Sequence, residues 1–216
     1  MFDSFVYNPP KEPRLSILYQ DRDFLVVDKP SGLLSVPGRV HKDSILSRIL
    51  EREERAYAVH RLDMDTSGLM VVALRRKAEK ALMEEFRLRR VQKEYVALVG
   101  GVLSQSRGSI SVPLSRCSGT PPRSVVDWEN GKEAHTEYHV LRQSDTRSCV
   151  QLFPKTGRSH QLRVHLLHLG HPILGVRFYF PESQEKRLML HAKRLIFAHP
   201  YHGKKMDFCS LEDFTL

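Results

Sequence analysis

The sequence has few cysteines and no pattern that would join them. Cys117, Cys149 and Cys209 are the 3 cysteines among 216 residues, and no two of them form a CxxC pair. Their odd number and wide spacing exclude a disulfide framework and a zinc ribbon as predictions. The fold therefore has to rest on a hydrophobic core, for which 41% hydrophobic residues are enough.

Long apolar runs are missing as well. The first residues, MFDSFVYNPPKEP, are rich in proline where a secretory signal would be basic and then apolar. No run approaches the roughly 18 apolar residues of a membrane span. We therefore expect a cytoplasmic protein. We also expect residues 1–13 to form an extended arm, because proline opposes regular structure, and residues 14–216 to form one folded domain.

Several signatures of nucleotide and ester chemistry are absent. There is no GxxxxGK[ST], no GxGxxG after a predicted strand and no GxSxG. The sequence therefore does not indicate a nucleotide-dependent enzyme or a serine hydrolase. What the sequence does have is an excess of positive charge, with 34 Lys and Arg against 25 Asp and Glu and a net charge of +9. This charge favours a polyanionic partner.

Short strands dominate the predicted secondary structure. The apolar runs Leu15–Tyr19 and Phe24–Val27 flank a polar QDRD stretch and predict a hairpin, and LMVVAL at 69–74 predicts a buried strand. Further strands are predicted at 95–99 and in SISVPL, AHTEYHVL, CVQLF and LMLHAKRLIFAH. Because strands outnumber helices and do not alternate with them, the sequence predicts an α+β fold with a mixed, mostly antiparallel central sheet.

Three segments have helical spacing. Residues 45–50 place aliphatic side chains on one face behind Asp43, the predicted N-cap. Residues 75–90 combine apolar positions at helical spacing with many charges, which predicts a largely solvated face. A third helix is predicted around 159–169 and ends at Gly170.

Polar side chains crowd the segment HRLDMDTSG at 60–68, directly before the predicted strand at 69–74. An active-site loop held by a rigid strand is one interpretation. The alternative is a turn whose Asp and Thr side chains satisfy backbone groups. The residues alone leave both open.

A second cluster, KTGRSHQLRVHLLHLGHP at 155–172, is rich in arginine and histidine. A zinc site is not predicted, because His160 and His165 are five residues apart, no HExxH occurs and the segment contains no carboxylate. A solvated basic helix face is the alternative. Against it, the polar residues alternate with leucine and valine, so some must lie close to the buried side.

Together these segments resemble the RluA family of pseudouridine synthases. The matching segments follow the family's order along nearly the whole chain: ILYQDRDFLVVDKPSGLLSVPGR, HRLDMDTSGLMVVAL, KEYVALV, GKEAHTEYHVL, PKTGRSHQLRVHLLHLGHPILG and LHAKRL. The resemblance implies the family's catalytic fold, with helices flanking the sheet and an active-site cleft. It implies an RNA isomerase that uses no cofactor and no metal. We expect the family's optional S4 module to be missing, since the motifs begin by residue 17.

Two segments, NPPKEP and RFYFPES, resemble the family members with dual specificity. The resemblance therefore implies stem-loops of tRNA, at the anticodon loop, and of 23S rRNA as the partners. We expect the protein to act as a monomer.

The resemblance also assigns roles to single residues. Asp63, in HRLD, matches the catalytic aspartate, Tyr95, in KEYVAL, the active-site tyrosine, and Arg163, in HQLRVH, the arginine that pairs with the aspartate. Arg61 matches a residue that fills space near the flipped-out base. The other candidates for contact with RNA are His60, Arg123, Arg158 and His160.

This chemistry explains why such residues are needed. The N1–C1′ bond of uridine breaks, the base turns, and C5 bonds to C1′; nothing is oxidised or lost. An ionised carboxylate stabilises charge at C1′ electrostatically or attacks it, and the sequence leaves covalent attack and glycal formation both open. Arg163 would keep Asp63 ionised. Tyr95 would stack on the uracil or take a proton, and the base must first leave its stack.

Two positions depart from the family pattern. Val176 follows Gly175 where an acidic residue is usual, and Arg123 stands where a lysine is common. The first departure concerns a supporting contact and leaves the catalytic set intact. Two other functional classes stay open from the residues: an RNA-binding protein without catalysis, and a metal-independent RNA hydrolase that uses Asp63 and a histidine.

Overall fold

The computed structural model describes residues 7–117, 123–175, 179–180, 182–212, 214 and 216. Within these residues the chain forms twelve strands and three helices. The strands are β1 (Ser16–Gln20), β2 (Phe24–Lys29), β3 (Tyr57–Ala58), β4 (Ser67–Ala73), β5 (Gln92–Gly100), β6 (Arg107–Ser111), β7 (Leu114–Cys117), β8 (Arg123–Val126), β9 (His135–Gln143), β10 (Arg147–Pro154), β11 (Leu190–Ala198) and β12 (Lys205–Cys209). The helices are α1 (Ile45–Leu50), α2 (Arg76–Arg87) and α3 (Gln161–His168).

Ten of the strands form one sheet. Its main order is β1-β2-β4-β11-β5-β10-β9-β6, with β12 paired to β11 and β3 to β4, while β7 and β8 form a separate hairpin. Among the described strands, β11 and β4 are the one parallel pair, and all other neighbours are antiparallel. The predicted α+β fold with a mostly antiparallel mixed sheet is confirmed.

Strand β4 is buried along its whole length, as its continuous apolar run predicts. Successive side chains of a strand point to opposite faces. Val71 therefore packs in one cluster with Ala78 and Leu82 of α2. Val72 packs on the other face with Ile45 of α1. The helices α1 and α2 therefore cover opposite faces of β4. They hold the strand, and the loop that precedes it, in a fixed position.

The N-cap of α1 differs from the prediction. The hydroxyl of Ser44, and not the side chain of Asp43, accepts the N–H of Ser47 at 3.1 Å. Asp43 instead accepts two hydrogen bonds from the guanidinium of Arg48, each 2.8 Å long. The Asp43 prediction was wrong because the buried arginine offers the carboxylate charged donors, which are stronger partners than a helix N–H.

Parts of the sequence-based predictions lie outside the described residues. These are residues 1–6 of the predicted arm and Val176. The rest of the arm, residues 7–13, contains no helix or strand, and the Tyr7 hydroxyl donates to the carbonyl of Asp43 at 2.7 Å. None of the described helices has the length and apolar character needed to cross a membrane.

Candidate active site

The loop that carries Asp63 is fixed by the segment that follows β2. The hydroxyl of Ser35 donates to the carbonyl of Leu62 at 2.8 Å and accepts the Leu62 N–H at 3.0 Å. The buried ammonium of Lys29 donates to the carbonyl of Met64 at 2.7 Å. Burial lowers the pKa of Lys29 to about 7. The backbone on both sides of Asp63 is therefore anchored before any ligand is bound.

Arg163 is the charged partner of Asp63. Its Nη1 lies 3.7 Å from Asp63 Oδ2, and only 4% of its side chain is exposed against 26% for Asp63. The Nε of Arg163 has no hydrogen-bond partner within the described residues. The arginine is thus a buried cation whose charge faces a carboxylate that stays open to the cavity. The buried guanidinium therefore offers the Asp63 side chain a charged partner at the cavity.

The start of α3 brings His160 to the same carboxylate. His160 is the N-cap of the helix and has φ +53, in the left-handed region that non-glycine residues rarely adopt. Its Nε2 lies 4.0 Å from Asp63 Oδ2. Burial lowers the pKa of His160 more than the Asp63 charge raises it, so the imidazole is neutral near pH 7. Backbone strain of this kind concentrates at functional sites.

The turn before α3 is held by one glutamine. Gln161 Oε1 accepts the Thr156 hydroxyl at 2.7 Å and the Arg158 N–H at 2.9 Å. Its Nε2 donates to the carbonyl of His135 at 3.0 Å. The motif GRSHQLR therefore contains the side chain that fixes the conformation of this turn. That conformation sets the direction in which Arg158 and α3 leave the turn.

Tyr179 is a site residue that the sequence analysis missed. Its hydroxyl accepts the N–H of Ser124 and donates to the carbonyl of the same residue, each at 3.0 Å, and lies 2.9 Å from His160 Nδ1. The guanidinium of Arg163 lies over its ring, 5.2 Å from the centroid. Tyr179 thus joins strand β8 to His160 and Arg163, the two side chains beside Asp63. A single tyrosine after a glycine-containing loop carries no signal that would have revealed this contact.

Strand β5 supplies Tyr95 and Lys93 to the site. They are two residues apart and therefore point to the same face of the sheet. Burial, together with the nearby Asp63 charge, raises the pKa of Tyr95 far above its ordinary value, so the phenol stays protonated. Burial and the neighbouring Arg89 lower the pKa of Lys93 to about 8.

One cavity of about 100 Å³ contains most of the residues expected from the sequence. It brings Asp63, Tyr95 and Arg163 together although they come from three separate parts of the chain. The other expected residues that line it are Arg61, Arg158 and His160.

Two expected RNA contacts lie elsewhere. His60 does not line this cavity; its Nε2 accepts the Val71 N–H at 3.0 Å, and its ring stacks on Phe86 with centroids 4.5 Å apart. Burial lowers its pKa to about 3, so it is neutral. Arg123 begins β8 and does not line the cavity either. That these two side chains bind RNA stays a prediction.

A cluster of metal-ligating groups occurs away from this cavity. Asp21, Asp23 and His199 have ligand atoms within 4.8 Å of one another, and no other such group of three occurs within the described part of the chain. None of the three lines the cavity that holds Asp63. Among the described residues, the histidines of the 155–172 segment are not part of this group.

The sequence model of the RNA pseudouridylate synthase family matches residues 23–168, which include Asp63, Tyr95 and Arg163. The matched range contains the cavity-lining loop, β5 and α3. The chain therefore belongs to the pseudouridine synthases, which isomerise uridine in RNA.

The relatives define the branch of that family. The chain is 52% identical over 214 residues to the dual-specificity RNA pseudouridine synthase RluA of Escherichia coli K12, and this match covers 96% of the chain and 98% of that protein. It is 46% identical over 214 residues to the protein of the same name in Haemophilus influenzae, with the same coverage. These identities place the chain in the RluA family.

Two solved human structures share the fold. RNA pseudouridylate synthase domain containing 1 superposes with a TM-score of 0.83 at 34% identity, over 96% of this chain and 87% of that one. RNA pseudouridylate synthase domain containing 4 gives 0.71 at 28% identity, over 92% and 89%. The predicted pseudouridine synthase fold is confirmed.

Proposed function

We propose that Asp63 is the carboxylate that acts at C1′ of the target uridine, with Arg163 and Tyr95 as its partners. The observation that carries this proposal is the convergence of the three side chains in one cavity, where the buried Arg163 lies 3.7 Å from the more exposed Asp63. Arg163 holds Asp63 in place through the ion pair between the two side chains. Tyr95, which stays protonated, stacks on the uracil.

The chemistry follows from these positions. The uridine leaves its stack and enters the cavity, so that Asp63 meets C1′ as the N1–C1′ bond breaks. Positive charge develops at C1′ and the carboxylate stabilises it or bonds to it. The detached uracil turns, C5 bonds to C1′, and the proton on C5 is then transferred to N1. The neutral imidazole of His160, whose Nε2 lies 4.0 Å from Asp63 Oδ2, can accept that proton.

We propose stem-loops as the substrates, because the named relatives are dual-specificity enzymes and the net charge of +9 suits RNA. The expected RNAs are tRNA, at the anticodon loop, and 23S rRNA. The protein would act in the cytoplasm as a monomer, with residues 14–216 as one catalytic domain. Specific recognition of RNA depends mainly on unpaired loops. An anticodon stem-loop should be modified, and the same uridine in a perfect duplex should not.

The test combines purified protein with cells that lack the gene. Pseudouridine is mapped in both RNAs from the deletion strain, and synthetic hairpins and duplexes are treated in vitro and run on a gel. Unchanged RNA length with new pseudouridine supports the isomerase. Shortened RNA would mean a hydrolase, and bound but unmodified RNA a binding protein. If only one of the two RNAs loses pseudouridine in the deletion strain, dual specificity is wrong.

Arg163 should tolerate lysine far better than leucine. We expect Arg163→Leu to lower the single-turnover rate by about 10²-fold or more, because Asp63 loses its cation. Arg163→Lys keeps the charge but not the planar group over Tyr179, so it should recover part of that rate. Thermal unfolding of both variants separates a folding defect from a site defect. Equal rates for Arg163→Leu and wild type would remove Arg163 from the site.

RNA affinity should depend on pH through Lys93. Its pKa is about 8, so the side chain is protonated below that pH and neutral above it, and only the protonated form attracts phosphate. Affinity should therefore fall as pH rises from 7 to 9 at constant ionic strength. The Lys93→Met variant should show a flatter profile. Identical slopes for the two proteins in a filter-binding assay would contradict this.

Removal of metal ions should leave the reaction intact. The cavity of Asp63 lacks a set of metal ligands among its lining residues, and the isomerisation needs no Lewis acid in this scheme. We expect full activity after exhaustive EDTA treatment when the RNA has been folded beforehand. A loss that zinc alone restores would overturn the expectation.

A further inference from the structure

A groove of about 500 Å³ lies beside the active-site cavity. One side of it is formed by α2 and the turn that follows, and the other by residues 155–158. The groove and the cavity share lining residues, among them Arg61, Lys93, Tyr95 and Arg158. The two spaces are therefore adjacent, and an RNA strand with its uridine in the cavity has the groove next to it.

The groove carries positive charge that the protein does not neutralise. Within the described residues, Arg61, Arg89 and Lys93 form no ion pair with a carboxylate. Other cations of the same region do, as the pairs Arg87–Glu84 at 2.5 Å, Arg90–Glu85 at 3.1 Å and Lys155–Glu137 at 2.8 Å show. The lowered pKa of Lys93 agrees with this, because burial and the charge of Arg89 act on it without a compensating anion. Unpaired cations at a concave surface attract phosphate.

The same groove also has apolar lining residues, among them Met83 and Phe86. Met83 of α2 is 50% exposed, although it lies among charged residues of that helix. One helical turn further, Phe86 also lines the groove, and its ring stacks on that of His60, another lining residue. A flexible thioether and an aromatic ring are well suited to cover the face of a base. Cations together with an apolar surface for the base are the combination that single-stranded nucleic-acid sites use.

We propose that this groove binds a nucleotide that flanks the target uridine, with its base on Met83 and Phe86 and its phosphate on Arg89 and Lys93. This inference rests on the proposed function, because the groove is next to the target only if the uridine occupies the cavity of Asp63. The flanking nucleotide would then set which loops are accepted, since its base has to be unstacked as well. The groove thus gives the protein a second contact with the RNA loop, in addition to the reacting base.

Two variants test the groove without touching the reacting groups. Met83→Ser removes apolar surface at an exposed helix position. Arg89→Asn removes a cation and keeps the backbone, because Arg89 has φ +57 and asparagine tolerates that conformation. Arg90→Ser is the matched control, since Arg90 is already paired with Glu85 and does not line the groove.

The probe is a synthetic anticodon stem-loop, intact or with an abasic site at one of the two nucleotides on either side of the target uridine. We expect Met83→Ser to raise the Kd for the intact RNA by about 10-fold. For one of the abasic RNAs, the Kd of wild type should rise by a similar factor. On that RNA, Met83→Ser should raise the Kd almost no further. Arg89→Asn should make the slope of log affinity against log salt less steep by about 0.7.

The outcomes separate the inference from the proposed function. If Met83→Ser and Arg89→Asn bind every RNA like Arg90→Ser, or if no abasic position removes the effect of Met83→Ser, the groove does not hold a flanking nucleotide. Pseudouridine formation is measured on the same RNA. Its absence with wild type would overturn the proposed substrate, while the binding cycle would still report on the groove.

Discussion

Replacement of Asp63 by asparagine should abolish pseudouridine formation and leave RNA affinity within a few-fold of wild type. Asparagine keeps the shape of the side chain and removes the negative charge that C1′ requires. Loss of a group that both stabilises charge and can form a bond costs on the order of 10³-fold or more in rate. The measurement is a single-turnover assay on a stem-loop, with Kd determined on the same RNA.

Asp65→Asn is the matched control for this variant. Asp65 lies two residues further along the same loop, so the same substitution makes the same change in net charge. Its side chain does not line the cavity of Asp63. We expect its rate to stay within a few-fold of wild type. A turnover near the wild-type value in Asp63→Asn would contradict the proposed mechanism, whatever the control does.

The substitution Gly68→Ala should unfold the region around the site. Gly68 has φ +108, and a Cβ built there would lie 2.4 Å from the carbonyl oxygen of Ala192. These two residues face each other in the parallel pair of β4 and β11. Backbone strain and overpacking each cost about 1–3 kcal/mol, so the free energy of unfolding should fall by about 2–6 kcal/mol. Urea unfolding measures the change.

Gly203→Ala separates strain from collision. Gly203 has φ +68, but a Cβ there would meet nothing within 4 Å. The alanine then costs only the left-handed conformation, about 1–2 kcal/mol. If Gly68→Ala is no more destabilising than Gly203→Ala, the close approach of β4 and β11 does not limit stability, and the structural argument fails.

Much of the fold could be predicted from local patterns. The run LMVVAL gave β4 because a continuous apolar stretch fits a strand covered on both faces. The strands β1, β2, β5, β10 and β11 were also predicted within a few residues. The short strand β3 and the strand β12, with alternating exposure, were missed, because they depend on pairing with β4 and β11 more than on their own composition.

The site could be predicted only in part. Asp63, Tyr95 and Arg163 were found because motifs mark them, and the cavity contains all three. The residues that hold these three side chains in place were not predicted. Lys29 acts through a hydrogen bond to a residue 35 positions away, and Tyr179 contacts Ser124 across 55 positions. Contacts of this kind leave no periodic signal, since they are fixed by the tertiary structure.

The position of β11 has a consequence for how the protein is made. This strand lies between β4, which follows Asp63, and β5, which carries Tyr95, and it pairs His191 with Ser67 across more than a hundred residues. A nascent chain on the ribosome can form the β1–β2 hairpin early. It cannot join the two halves of the site until residues 190–198 have left the exit tunnel. In nascent chains that stall before that point, the edges of β4 and β5 that β11 covers would stay open, and such edges are prone to aggregation.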